Sequence, residues 1–346
     1  MAVSTGGKIA NLDEHIEGRS PWQDSWDRLR RNKFAIVGLV IIVLNVLMAV
    51  SAPAIAPKPY EKQNLINNNA APQWVTSLFP TMIPKGQPGG YVNIVSVEEY
   101  PMGADSLGRD LLSRIIYGAQ ISLAVAFIGP IVSMAIGLSM GLLAGYAGGL
   151  VDTLIMRVVD IFYAFPTLLV IILMMATFRG AFNEASSQGT LGFQLYLLDK
   201  SMGGMLFIFI GIGLTSWVGL ARLTRGQVLS VRENEYVTAA KSLGAGDRTI
   251  VFKHILPNIL GPIIVAETLA IPTYIRFEAF LSFIGLGVNP PRPSWGAMIS
   301  QGAQSIATYP NQAIFPALAL FILMFAFNFL GDGLRDALDP RMRGID

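Results

Sequence analysis

The sequence predicts an all-α integral membrane protein with six transmembrane helices. Two observations carry that prediction. Of 346 residues, 52% are hydrophobic and 14% are charged, whereas about a quarter of an average soluble domain is charged. Six segments also supply about 20 mainly apolar residues, the length a helix needs to cross about 30 Å of hydrocarbon. Lipid offers no partner to free backbone groups, so each segment must satisfy its own as a helix. The composition excludes other classes: cysteine is absent and only His15 and His254 are histidines, which leaves no disulfide framework, thiolate metal site or Cys–His nucleophile. A net charge of +2 with dispersed basic residues is no footprint for nucleic acid.

Residues 1–33 form a polar leader. Ser20 can cap a helix that starts at Pro21, and Trp22, Trp26 and Leu29 recur at i, i+4, i+7. Such a helix either lies on the inner membrane surface or packs on the bundle. The first span covers 34–55 within a segment ending at 56, and is uncharged. Small residues from Ala52 to Ala56 imitate a cleavage site, but a leader of more than thirty polar residues is too long for a signal peptide.

Residues 57–114 are expected to be external. Pro57 to Pro101 is rich in Pro, Asn and Gly and reads as an irregular cap. The stretch from Gly103 to Asp110 lacks a calcium-loop ligand pattern and reads as a turn into the second span, 121–144. There, Gly137, Gly141 and Gly145 fall at GxxxG spacing, with Gly129 and Ser133 extending the small-residue stripe, a face for close helix packing.

The third span, 151–178, confines Asp152, Arg157 and Asp160 to its first third. Arg157 and Asp160, at i, i+3, read as a local ion pair. The fourth span covers 205–223, the fifth 259–286 and the sixth 313–331, so five spans make a core domain over 115–332, followed by a tail, 333–346. Pro130, Pro166, Pro262, Pro272 and Pro316 interrupt these spans, which membranes tolerate where neighbours satisfy the freed carbonyls.

Basic residues near span ends collect on the cytoplasmic side. Arg28, Arg30, Arg31 and Lys33 precede the first span; Arg225, Arg232, Lys241, Arg248 and Lys253 lie in the loop 224–258; Arg335, Arg341 and Arg343 lie in the tail. The three clusters agree on one topology, a multi-pass plasma-membrane protein with both termini in the cytoplasm.

The inner loop carries the strongest functional pattern. Tyr236, Ala239, Ala240 and Leu243 keep helical spacing after Glu235. Gly244 suits a helix stop, and Asp247 an N-cap for a second helix ending before Pro257. The product is a helix–turn–helix whose small residues leave room for a partner surface.

The spacing Ala-Ala-x3-Gly-x10-Ile-Leu-Pro, running from Ala239 to Pro257, resembles the "EAA" signature of ABC-importer permeases. Thr238 stands where that signature usually has glutamate and His254 where it has isoleucine. Further matches are Gly103-Ala-Asp-Ser-Leu-Gly-Arg-Asp110, Gly145-Tyr-Ala-Gly-Gly149, Leu281-Ser-Phe-Ile-Gly-Leu-Gly287 with Pro290-Pro291, and the run from Phe327 to Pro340. Together these resemble the second permease of the dipeptide/oligopeptide importers over most of 28–343. The resemblance implies a type I ABC importer permease fold. It also implies an assembly of two homologous permeases, two ATPases and an extracytoplasmic substrate-binding protein that passes peptides across the bilayer by alternating access. Glu235, Tyr236, Thr238, Ala239, Ala240, Leu243, Gly244, Asp247 and Arg248 would dock in a cleft on an ATPase. This chain contains no Walker A pattern, so ATP and magnesium would be bound by the ATPase subunits and the chain itself would be no enzyme. Nickel complexes, opines or haem are the alternative cargo. An ion-coupled transporter is the rival class, and paired repeats with broken helices are not evident in the sequence.

Ionisable groups inside spans face the bundle interior or a wet cavity. Glu267, Tyr274 and Glu278 lie at i, i+7, i+11 on one face of the fifth span, and with Asn328 they are candidates for the substrate path. Arg276 falls nearly opposite and suits an internal salt bridge better.

Overall fold

The computed structural model describes residues 21–181 and 190–338. The Ser20 cap, His15, Arg341, Arg343 and Pro340 lie outside the described residues, as does the Trp22 side chain. No strand occurs among the described residues.

Helix α1 (Pro21–Arg31) leads into α2 (Lys33–Val50) through Asn32. The Asn32 side chain accepts from the Phe34 and Ala35 N–H groups at 3.1 and 3.2 Å, satisfying donors that have no intrahelical partner. Leu29 is buried against Ala35, Leu334 and Ala337. The leader helix therefore packs on the bundle, the second of the two arrangements expected for it. α2 buries one stripe, Ala35, Gly38, Ile42 and Ala49, and leaves Val40, Leu44 and Leu47 exposed, as a helix between protein and lipid must.

After the short α3 (Ala52–Ile55), residues up to Asp110 are irregular: a 3₁₀ turn (Leu65–Asn67), α4 (Gln73–Leu78) and isolated bridges. This cap has its own small core of Ala71, Val75, Met82 and Val92. Trp74 stacks on Phe315 with ring centroids 5.7 Å apart, and the Gln312 amide donates to Asn69 at 2.7 Å. The turn at Gly103–Asp110 is built around the buried Asp105, which accepts from the Leu107 and Arg109 N–H groups at 2.9 Å each, from Arg109 Nε at 2.7 Å, and from Arg114.

Asp110 caps α5 (Leu111–Ala147), accepting from the Ser113 N–H at 2.7 Å. α5 stops at Gly148, whose φ is +65°, a conformation easy for glycine alone. The third span is not one helix. It divides into α6 (Gly149–Tyr163) and α7 (Thr167–Ala181), bent by 87°. Pro166 supplies the reason: it lacks an N–H and disfavours helical geometry at Phe165 before it. Pro130, Pro262, Pro272 and Pro316, by contrast, sit inside continuous helices. The expected Arg157–Asp160 pair does not form either. Asp160 reaches across to Arg222 at 2.9 Å, and Asp152 accepts from Arg225 through both oxygens at 2.5 and 2.6 Å. The Asp152–Arg225 pair is bidentate, the geometry in which a guanidinium fork matches a carboxylate, whereas Asp160 meets Arg222 through one oxygen.

α8 (Leu191–Ser201) is followed by α9 (Leu206–Arg232) and the short α10 (Glu235–Ser242). The fifth span then starts earlier than expected. α11 (Asp247–Thr249), a π-helical stretch (Ile250–Ile255) and α12 (Leu256–Phe283) run on as one 37-residue rod. The second loop helix thus does not end before Pro257. The wider π turn accommodates a proline ring that would clash with a carbonyl one α-turn back. Gly246, not Asp247, occupies the cap position. α13 (Trp295–Ala303) is a short helix with Trp295 fully buried, its indole N–H donating to the Ile115 carbonyl at 2.9 Å. α14 (Asn311–Leu338) closes the bundle. Among the described residues, five helices are long and apolar enough to cross a membrane, and the bent pair counts as a sixth where its two halves are taken as one span.

Candidate functional site

Two regions hold the sequence-derived candidates. The first is α10 and the turn after it. Val237 is its one buried residue; Glu235, Tyr236, Thr238, Ala239, Leu243 and Gly244 are exposed, and Ala240 is half-buried. Leu243 is 89% exposed, an apolar side chain that none of the described residues covers. Gly244 has φ +83° with open space around it, the left-handed stop that glycine adopts without strain. Val237 joins Ile250, Ile255 and Ile259 in one core cluster with Leu220 and Val228 of α9, so α10 is clamped onto the start of the long fifth helix. Tyr146 of α5 donates to Asp247 at 2.6 Å. His254 lies beside Tyr236, ring centroids 6.5 Å apart, and Arg248 is exposed. Sequence reasoning found this element but missed the Tyr146 strut, because nothing local pairs residues 101 positions apart.

The second region is the polar seam inside the bundle. Gly137, Gly141 and Gly145 all face α9: an added Cβ would meet the Trp217 carbonyl at 2.8 Å, the Thr224 Cβ at 2.4 Å and the Val228 Cβ at 2.7 Å respectively. The two residues extending that stripe face α12 instead. A Cβ on Gly129 would meet the Tyr274 ring at 2.9 Å, and Ser133 donates to Glu267 Oε1 at 2.9 Å. Tyr274 donates to Glu267 Oε2 at 2.9 Å. Glu278 is wholly buried, accepts from Ser282 at 2.7 Å and adjoins Ser122 and Ser294.

The four path candidates therefore separate. Glu267 and Glu278 turn toward α5. Tyr274 alone reaches a cavity of about 280 Å³ between the α6–α7 bend, α9 and α12, walled by residues such as Phe162, Phe165, Thr215, Thr273 and Phe277. Asn328 is exposed on α14, apart from the others. Arg276 makes no internal salt bridge among the described residues; it is exposed and donates to Thr273 at 2.8 Å. The cavity has no signature in the sequence beyond Pro166, since its walls come from three separated segments.

The family model described as "Binding-protein-dependent transport system inner membrane component" matches residues 137–344, and "N-terminal TM domain of oligopeptide transport permease C" matches residues 20–72. The chain is 39% identical over 324 residues to the oligopeptide transport system permease protein OppC of Bacillus subtilis, covering 94% of this chain and 91% of that protein. It is 40% identical to OppC of Haemophilus influenzae, over 95% and 91%, and 37% identical to the dipeptide transport system permease protein DppC of Bacillus subtilis, over 93% and 86%. A solved chain of the MetNI methionine ABC transporter in an inward facing conformation shares the fold, with a TM-score of 0.51 at 19% identity over 66% of this chain and 98% of that one. The buried helix seams, the exposed α10 turn and these matches converge: the chain belongs to the family of binding-protein-dependent transport system inner membrane components, the multi-pass permeases of ABC importers.

Proposed function

We propose that the chain is one of two permease subunits of an importer for di- and oligopeptides in the plasma membrane, energised by separate ATPase subunits. The observation that carries the cargo is the 37–40% identity, over at least 86% of both chains, to proteins named oligopeptide and dipeptide permeases. On this reading a homologous second permease completes the path, an extracytoplasmic binding protein delivers the peptide to the cap side, and the termini with α10 face the cytoplasm beside the basic clusters.

The α10 turn supports an ATPase-docking role. It is exposed, carries uncovered Leu243, and leads through residues 243–246 into the membrane-spanning helix that starts at Asp247. A partner that binds it more tightly in one nucleotide state biases the tilt of that helix, and a ligand shifts an equilibrium only by such a difference in affinity. The α5–α9 glycine seam supports close packing of the span that must transmit the motion.

The test is uptake of a labelled tripeptide into proteoliposomes holding this chain, its partner permease, ATPases and binding protein. Uptake is expected to require ATP hydrolysis and to survive collapse of the proton gradient. Accumulation that persists without hydrolysis overturns the reading in favour of an ion-coupled transporter.

A further inference from the structure

Arg276 is a cation set within the apolar length of α12, about 10 Å along the helix from Phe283. It is exposed on this chain, and among the described residues no acidic group pairs with it. Its guanidinium carries five donors and spends one on Thr273 Oγ1, at 2.8 Å. A charge at that depth has to face water or an anion.

Thr273 is also part of the wall of the 280 Å³ cavity, so Arg276 stands one hydrogen bond behind that wall. The wall is aromatic and hydroxylic, and no acidic residue lines it. The neighbouring carboxylates are already engaged. Asp160 pairs with Arg222, whose guanidinium covers the Tyr163 ring at 4.1 Å, and both oxygens of Glu267 take hydroxyl hydrogens from Ser133 and Tyr274. A cavity of aromatic and hydroxyl-bearing side chains, with Arg276 held against its wall by Thr273, therefore lies at membrane depth, where the backbone of the third span breaks. Irregular backbone at that depth is tolerated where it lines a cavity.

We infer that Arg276 binds the terminal carboxylate of a peptide in transit while the adjoining cavity takes that residue's apolar side chain. This rests on the peptide-permease reading above. A C-terminal residue carries its carboxylate and side chain on one carbon, which matches a cation hydrogen-bonded to the wall of an aromatic pocket. An ion pair with an acidic residue of the second permease would satisfy Arg276 but leave the pocket without an occupant.

The experiment uses the complete importer in proteoliposomes, with the binding protein saturated by either of two labelled peptides: a tripeptide ending in phenylalanine, and the same tripeptide as its C-terminal amide. The unmodified importer is expected to move the free acid about tenfold faster than the amide. Arg276→Gln should bring that ratio to about one by slowing the acid alone, and Arg276→Lys should retain part of the preference. An unchanged ratio in Arg276→Gln, or an unmodified importer without preference, overturns the inference while leaving the peptide reading intact. Equal loss of both peptides in Arg276→Gln assigns the residue to an ion pair between subunits and also overturns it. An unmodified importer that moves neither peptide overturns the peptide reading and this inference with it.

Discussion

Gly141 of α5 lies directly against Thr224 of α9: a Cβ at position 141 would stand 2.4 Å from the Thr224 Cβ and 2.6 Å from the Ala221 carbonyl oxygen. Neither a Cβ nor a backbone oxygen can swing aside as a long side chain can, so the helices must separate. Gly141→Ala is expected to cost about 1–3 kcal/mol, the usual penalty for overpacking a tight contact. Gly226→Ala, in the same pair of helices but with nothing within 4 Å, serves as the control and should be neutral or slightly stabilising. Thermal unfolding of the detergent-solubilised protein, followed by loss of the monodisperse peak, distinguishes them.

Gly244 makes the opposite case. Space is open around it, yet its φ of +83° penalises any side chain, by about 1–2 kcal/mol for an ordinary residue. Gly244→Leu should therefore still insert into the membrane, with a melting temperature lowered only by the few degrees that this strain costs, while losing co-purification with the ATPase subunits. Normal co-purification with normal uptake would remove the docking assignment from this turn.

Asp110 separates a cap from a charge. Its carboxyl accepts from the Ser113 N–H, and burial raises its pKa above the ordinary carboxylate value. A raised folded pKa means that the group's contribution is fully present in acid and lost as pH rises through the folded value. Asp110→Asn keeps the cap without the charge and should match or exceed the parent at neutral pH. That advantage should shrink as pH falls toward about 4. Asp110→Ala loses the cap and should cost about 1 kcal/mol at either pH. Melting curves across that range test both signs.

Asp152 and Arg225 tie α6 to α9 through two hydrogen bonds, with side chains 19% and 33% exposed. Partial exposure screens the pair, so a double-mutant cycle over Asp152→Asn and Arg225→Gln should give a coupling of about 0.5–1 kcal/mol. Additive losses would show that the two residues act independently.

How much of this was readable beforehand follows the range of the forces involved. The spans were legible because hydrocarbon imposes one length and one composition on every crossing segment; residues 34–55 begin one residue after the start of α2 (Lys33–Val50) and run past its end, and 313–331 lie inside α14 (Asn311–Leu338). The stop at Gly244 was legible because a helix end needs a left-handed residue there. The GxxxG stripe announced a close contact, but not that Gly129 and Ser133 turn to α12 while Gly137, Gly141 and Gly145 turn to α9. The Arg157–Asp160 pairing was misjudged because i, i+3 proximity competes with partners more than sixty residues away, which no local spacing records.

By itself, then, the sequence determined that the chain crosses the membrane as helices, which apolar segments those helices contain, and that a helical turn lies in the loop 224–258, since hydrophobicity and backbone conformation act over neighbouring residues. Tertiary structure decided what the polar groups do. It closed Glu267 between Ser133 and Tyr274, tied Tyr146 to Asp247, broke the third span into a cavity wall, and left Arg276 hydrogen-bonded to Thr273 of that wall with no acidic partner among the described residues. Those outcomes depend on which distant groups can satisfy a buried hydrogen-bonding group or charge, and only the packed arrangement of helices brings those partners within reach.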